Sequence, residues 1–219
     1  MLPCVFVLVL GAPGLLFFLL AASLSPVAEP GPVPAGTTTP PQLLAADETA
    51  SIAIGSIVTG CVVPVWVLLA VGKVESDNTS GHTILPDGDV SPPIIGPALD
   101  GSLPGTRAIP ATDGGVLTGD PEWSHAVGPM QILPSTWQRW AHTEGAGPPD
   151  PQNVDDAALT AAVILCQPPA DLSDPAQLAP ALAGYNHSGA YVSEVLAWAG
   201  YFETSAASSI TADTQPASS

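Results

Sequence analysis

Residues 52–71 form an almost unbroken apolar run, Ile-Ala-Ile-Gly-Ser-Ile-Val-Thr-Gly-Cys-Val-Val-Pro-Val-Trp-Val-Leu-Leu-Ala-Val, long enough to cross a bilayer. Whether it does so limits everything else the chain can fold into. Gly55, Gly60 and Pro64 interrupt the run, and the segment from Thr59 to Pro64 has the form of a helix stop, a turn and a new helix start. The run therefore reads as two buried helices, about Asp47 to Thr59 and about Pro64 to Ser76, within a folded domain. The second helix ends on Glu75, where apolar sequence gives way to a long loop. A carboxyl at such a border is held partly out of water, which raises its pKa and suits it to deliver a proton near neutrality. The ordinary alternative is a helix end facing solvent.

The flanks divide the 219-residue chain into one domain with tails. Residues 1–24 are nearly all apolar and end in small residues, as in an export signal or a membrane anchor, although no Lys or Arg precedes Lys73. Residues 25–44, rich in Pro, Ala, Gly and Thr, read as a linker. The folded domain is expected over 45–203, with a disordered Ser/Ala/Thr-rich tail at 204–219. Export across the membrane is expected from this order, with membrane contact only through the N-terminal segment. The sole cations are Lys73, Arg107 and Arg139, and a formal net charge of −17 excludes nucleic acid and anionic lipid surfaces as partners. In an exported domain Cys61 and Cys166 are expected to form a disulfide, with Cys4 left in the N-terminal segment. Closing a loop of this size contributes up to ~4.7 kcal/mol in the chain-entropy account.

Between Asn78 and Asp120 no helical or strand period persists, and only a short hairpin is conceivable. The segment from Trp123 to Trp137 mixes aromatics, small residues and amides, a composition typical of cleft linings. Asn153 is placed to cap a helix from about Val154 to Cys166, and Asp174-Pro175 to start another that ends near Gly184. A last amphipathic helix is expected from Gly189 to Phe202. The fold class is thus mainly α.

Three blocks, Leu68-Leu69-Ala70-Val71-Gly72-Lys73-Val74-Glu75-Ser76-Asp77, Ala126-Val127-Gly128-Pro129-Met130-Gln131-Ile132-Leu133-Pro134-Ser135-Thr136-Trp137 and Tyr185-Asn186-His187-Ser188-Gly189-Ala190-Tyr191-Val192, together resemble the lytic murein transglycosylases. Within that group the chain is similar to the membrane-bound B-type branch of the soluble-lytic-transglycosylase, lysozyme-like superfamily, in its actinobacterial form. The resemblance implies a lysozyme-like helical domain with a long irregular loop between the catalytic helix and the Gly-Pro-Met-Gln block. It implies cleavage of the β-1,4 bond between N-acetylmuramic acid and N-acetylglucosamine in peptidoglycan, leaving a 1,6-anhydromuramoyl end. By position, Glu75 matches the acid that protonates the glycosidic oxygen and then accepts the proton of the sugar's C6 hydroxyl. Ser76, Gly128, Gln131, Tyr185 and Asn186 match residues that line the glycan site, Gln131 either bonding sugar or orienting Glu75.

A hydrolase would need a second carboxylate. Asp77 is turned about 200° from Glu75 on a continuing helix, which leaves Asp113 and Asp120 as the candidates for such a muramidase. A wall-binding module with weak catalysis is the other alternative, since the acidic loop that relatives carry is eroded at 142–150. No metal or other cofactor is expected: His82, His125, His142 and His187 lack ligand spacing, with His187 the one histidine placed to touch substrate. Trp66 and Trp198 fit core positions, whereas Trp123 and Trp137 suit core and sugar stacking equally. Peptidoglycan strands are the expected partner and a monomer the expected state.

Overall fold

A computed structural model describes residues 39–102 and 107–213, with side chains as far as residue 205. Among these residues the chain is mainly helical, as its hydrophobic pattern predicts. The helices are α1 (Pro41–Ile57), α2 (Val65–Ser76), α3 (Pro134–Trp140), α4 (Val154–Leu165), α5 (Pro175–Tyr185) and α6 (Gly189–Asp213). A small antiparallel hairpin pairs β1 (Thr83–Ile84) with β2 (Val90–Ser91) inside the long loop.

The two halves of the apolar run behave as separate helices. α2 buries every residue from Val67 to Gly72, so it lies in the middle of the domain rather than on a face. α4 is buried almost throughout as well, and α1 packs along it while α6 packs along α2. The stripe Leu43, Ala46, Asp47, Ala50 and Ile54 is the buried side of α1, at the spacing that a single helix face requires. This stripe corrects the boundary of the expected linker. Helix α1 begins at Pro41 rather than near Asp47, because proline is compatible with a first turn and Leu43, only 1% exposed, extends the core face one turn further.

At the other end α6 runs through Asp213 instead of stopping near Phe202, so residues 204–213 of the expected disordered tail are helical. No Gly or Pro interrupts Glu203 to Asp213, and nothing in that stretch opposes helix propagation. The expected signal or anchor at 1–24 lies outside the described residues. No helix among the described residues is long and apolar enough to cross a membrane.

The predicted caps form. The Asn153 side chain accepts from the Asp155 amide at 3.1 Å, and Asp174 accepts from the Ala176 amide at 2.9 Å. Cys61 and Cys166 are joined as a disulfide, with Cα atoms 5.9 Å apart across a sequence separation of 105. Beside it the Val62 amide donates to the Ala170 carbonyl and the Leu172 amide to the Val62 carbonyl, at 3.0 and 2.8 Å. The start of α2 is thereby tied to the end of α4.

The loop between α2 and α3 is irregular but not loose. Its strip 94–99 pairs with 124–128 through the Gly96, Leu99 and Gly128 amides, at 2.8, 3.0 and 2.9 Å. A second strip, 109–111, pairs with 122–124. These pairings satisfy backbone groups that the low-period sequence would otherwise leave to solvent.

Candidate functional site

Glu75 occupies the last turn of α2 and is half-buried. Burial raises its pKa to about 7, and the Tyr191 hydroxyl opposes that rise by favouring the carboxylate. No second carboxylate among the described residues contributes to the shift. Tyr191 comes from the first turns of α6, and its hydroxyl, buried and without a well-formed hydrogen bond, faces Glu75. Tyr185, at the end of α5, lies parallel to Tyr191 with ring centroids 6.4 Å apart. Both phenols are pushed far above their ordinary range by burial and by the Glu75 charge, so both remain protonated donors. Three helices thus bring one carboxyl and two phenols together.

The chain leaves α2 through a left-handed stretch, Asp77, Asn78 and Thr79, with φ of 53°, 54° and 63°. Asp and Asn tolerate this conformation better than other side chains, whereas Thr does not. The Ser76 hydroxyl braces the stretch, donating to the Gly72 carbonyl at 3.3 Å and accepting from the Thr79 amide at 3.2 Å. Lys73 pairs with Asp77 and sits 4.8 Å above the Trp198 ring, so a rare cation joins the end of α2 to α6. Asn78 is 3% exposed, with its side-chain amide against Gly72 and without a hydrogen-bond partner among the described residues, while its backbone amide donates to the Gly72 carbonyl at 3.1 Å. A side chain at Gly72 would meet Asn78 at 3.1 Å and Met130 at 3.7 Å.

Met130 belongs to a tight turn. Val127 and Ile132 exchange both backbone hydrogen bonds at 3.0 Å, enclosing Gly128-Pro129-Met130-Gln131. Gly128 has φ 75°, and a Cβ there would stand 1.7 Å from the Pro151 carbonyl oxygen, so only glycine fits. Gln131 also has positive φ, at 44°, and its amide donates to the Gly128 carbonyl at 3.0 Å. The Tyr185 hydroxyl donates to the Met130 carbonyl at 2.8 Å, bolting the turn to α5 beside Glu75. A cavity of about 90 Å³ opens next to this bolt, lined by Gln131, Ile132, Leu133, Thr136, Ile164 and Tyr185. A larger one of about 230 Å³ lies between α1, α4 and the 144–145 turn, and its lining shares no residue with the Glu75 group.

The residues singled out from sequence therefore divide. Glu75, Tyr185 and the Gly128–Gln131 turn form one group, with Ser76 beneath it as a backbone brace. Asn186 is exposed and its side-chain oxygen accepts from the Ser188 amide, while His187 is exposed and bonded to the Ala183 carbonyl. Asp113 is occupied by the amides of Gly115 and Leu117, and Asp120 by those of Glu122 and Trp123 and by His125. Trp137 and Trp198 are core residues, and Trp66 and Trp123 are half-buried. No group of three or more His, Cys, Asp or Glu among the described residues could hold a metal ion.

Two residues near the acid escape sequence reasoning. Tyr191 falls on the buried stripe of α6 with Val195, Trp198, Ala199 and Phe202, and an aromatic hydroxyl on an otherwise apolar stripe is the signal that marks it. Asn78 is marked only by its place in an Asp-Asn-Thr run after a helix. No family model matches the chain, and neither a curated protein nor a solved structure gives a match.

Proposed function

We propose that the protein is a peptidoglycan lytic transglycosylase, an exported lyase with a lysozyme-like helical fold in which Glu75 serves as acid and then as base. One observation carries the reading: a half-buried carboxyl with its pKa raised to about 7, to whose shift no second carboxylate among the described residues contributes. At neutral pH such a group is protonated in about half of the molecules, so it donates a proton readily and takes one back readily. Hydrolytic glycosidases divide these tasks between two carboxylates, the second activating water or attacking the sugar. With one carboxyl, the attacking oxygen is most simply the sugar's own C6 hydroxyl. Its attack on C1 breaks the glycosidic bond and leaves the 1,6-anhydro ring.

Asp113 and Asp120, the candidates for a hydrolase, have their oxygens committed to loop amides and to His125. That arrangement favours the lyase over the muramidase. The Tyr191 phenol, held protonated beside Glu75, supplies a donor for the sugar or for the carboxylate as it forms, while the Tyr185 proton is given to the Met130 carbonyl. The purified protein incubated with peptidoglycan is expected to release 1,6-anhydromuropeptides, read by mass spectrometry. Reducing muramic acid ends would mean a hydrolase, and no release at all would mean a binding module.

A further inference from the structure

His125 lies outside the Glu75 group, on the 124–128 strip that pairs with 94–99 and leads into the turn carrying Gly128 and Gln131. Its Nδ1 is 2.8 Å from the Gly96 carbonyl oxygen, and its Nε2 is 3.1 Å from Asp120 Oδ2. A carbonyl can only accept. Asp120 also only accepts, since three hydrogen bonds, from His125 and from the Glu122 and Trp123 amides, keep its carboxyl ionised below the usual range. Both ring nitrogens must therefore carry protons for both contacts to exist, a state available to imidazolium and not to either neutral tautomer.

Gly96 is where this ring acts on the rest of the site. Its amide donates to the Ala126 carbonyl at 2.8 Å, pinning the 94–99 strip against 124–128. Its α-carbon lies so close to Gln131 that a Cβ would stand 2.8 Å from Gln131 Oε1. Gln131 in turn holds the Gly128 carbonyl. We infer that His125 is a positioning residue and a proton-operated clasp: as imidazolium it ties the Asp120 turn to Gly96 and holds the Gly128–Gln131 turn in place, and on losing its proton it releases one side.

The surroundings support the direction. The ring is mostly buried, and its pKa is raised above the ordinary 6.5, first by the Gly96 carbonyl and then by Asp120, against an opposing effect of burial. Among the described residues Asp120 is the one charged group that bears on the ring. The remaining charges on the packed strips, Asp100, Arg107 and Glu122, are exposed, and Asp100 is turned to the Ser102 amide. Because the folded pKa lies above the unfolded one, the stabilisation by the clasp is complete below pH 6.5 and is lost as pH rises through the folded value.

The catalytic consequence rests on the transglycosylase reading, but the clasp itself does not. With no substrate present, ¹⁵N-histidine spectra of the full chain should show both His125 nitrogens protonated below its transition, and a transition above pH 6.5. Amide exchange protection at Gly96, Leu99 and Gly128 should fall about 10-fold as His125 titrates, the effect of weakening one charge-assisted bond. In His125→Arg, whose guanidinium keeps its charge and its several donors, that step in protection should disappear. A neutral His125 at pH 6, protection indifferent to its titration, or the same step persisting in the Arg variant would each overturn the clasp. With peptidoglycan as substrate, the native alkaline limb should fall as two protons are lost and that of the Arg variant as one. If peptidoglycan is not cleaved while the spectra and exchange behave as stated, the clasp holds and the functional reading fails.

Discussion

Glu75 combines the chemical role proposed for it with a cost to stability. Its pKa rises from 4.5 in the unfolded chain to about 7 in the fold, so the unfolded state releases the proton first as pH increases. The stability tied to the protonated form is complete below pH 4.5 and is lost by the time pH passes 7, a change of about 3 kcal/mol. Glu75→Gln keeps the shape and removes the charge. It is expected to abolish product release, at least ~10²-fold, and to raise the midpoint of thermal unfolding at pH 8 but not at pH 4. Release that survives in this variant would mean that the acid is another residue. Tyr191→Phe removes the hydroxyl that favours the carboxylate, so the Glu75 pKa should move further up. The measurement is the alkaline limb of the pH–rate profile, which should shift to higher pH.

The turn enclosed by Val127 and Ile132 shows what a single element requires. Gly128 is needed for two reasons at once, its positive φ and the Pro151 carbonyl lying where a Cβ would be. Gly128→Ala should cost about 3 kcal/mol or more, since backbone on both sides must move. Urea denaturation would read this, and a loss under 1 kcal/mol would mean that the turn is soft. The sequence marks this block as a cleft lining, but its composition cannot say that the Gln131 amide is turned back to the Gly128 carbonyl. The end of α2 is similar: an apolar run meeting a polar one locates Glu75, while the three left-handed residues after it depend on Ser76 and on burial of Asn78.

Across the molecule, the two carboxyls with the clearest upward shifts sit in its helical layers. Asp47 on α1 is 0% exposed, and neither side-chain oxygen has a hydrogen-bond partner among the described residues. Burial raises its pKa well above 3.8, so its contribution is complete below that value and declines as pH rises through the folded one. Together with Glu75 it makes this domain lose stability from pH 4 towards pH 8, and the formal charge of −17 adds self-repulsion in the same direction. Asp47→Ala removes an unsatisfied buried group and leaves only a small void. It should stabilise the fold at pH 8 by about 1–3 kcal/mol, read by urea denaturation, and flatten the pH dependence. No glycan contact is expected of Asp47, so product release per folded molecule should be unchanged.

The sequence by itself determined the division of the 52–71 run at Gly60 and Pro64, the caps at Asn153 and Asp174, the pairing of Cys61 with Cys166, and Glu75 at the edge of buried structure. These depend on local period, on single breaker residues, or on there being two cysteines in the domain. The tertiary structure decided the rest: Tyr191 facing Glu75, Tyr185 bonded to Met130, the strips at 94–99 and 124–128 paired with His125 between Gly96 and Asp120, and helix extending α1 and α6 into segments of unpromising composition. Each of those depends on contacts between residues far apart in the chain, and the periodicity of one segment carries no record of the surface it will meet.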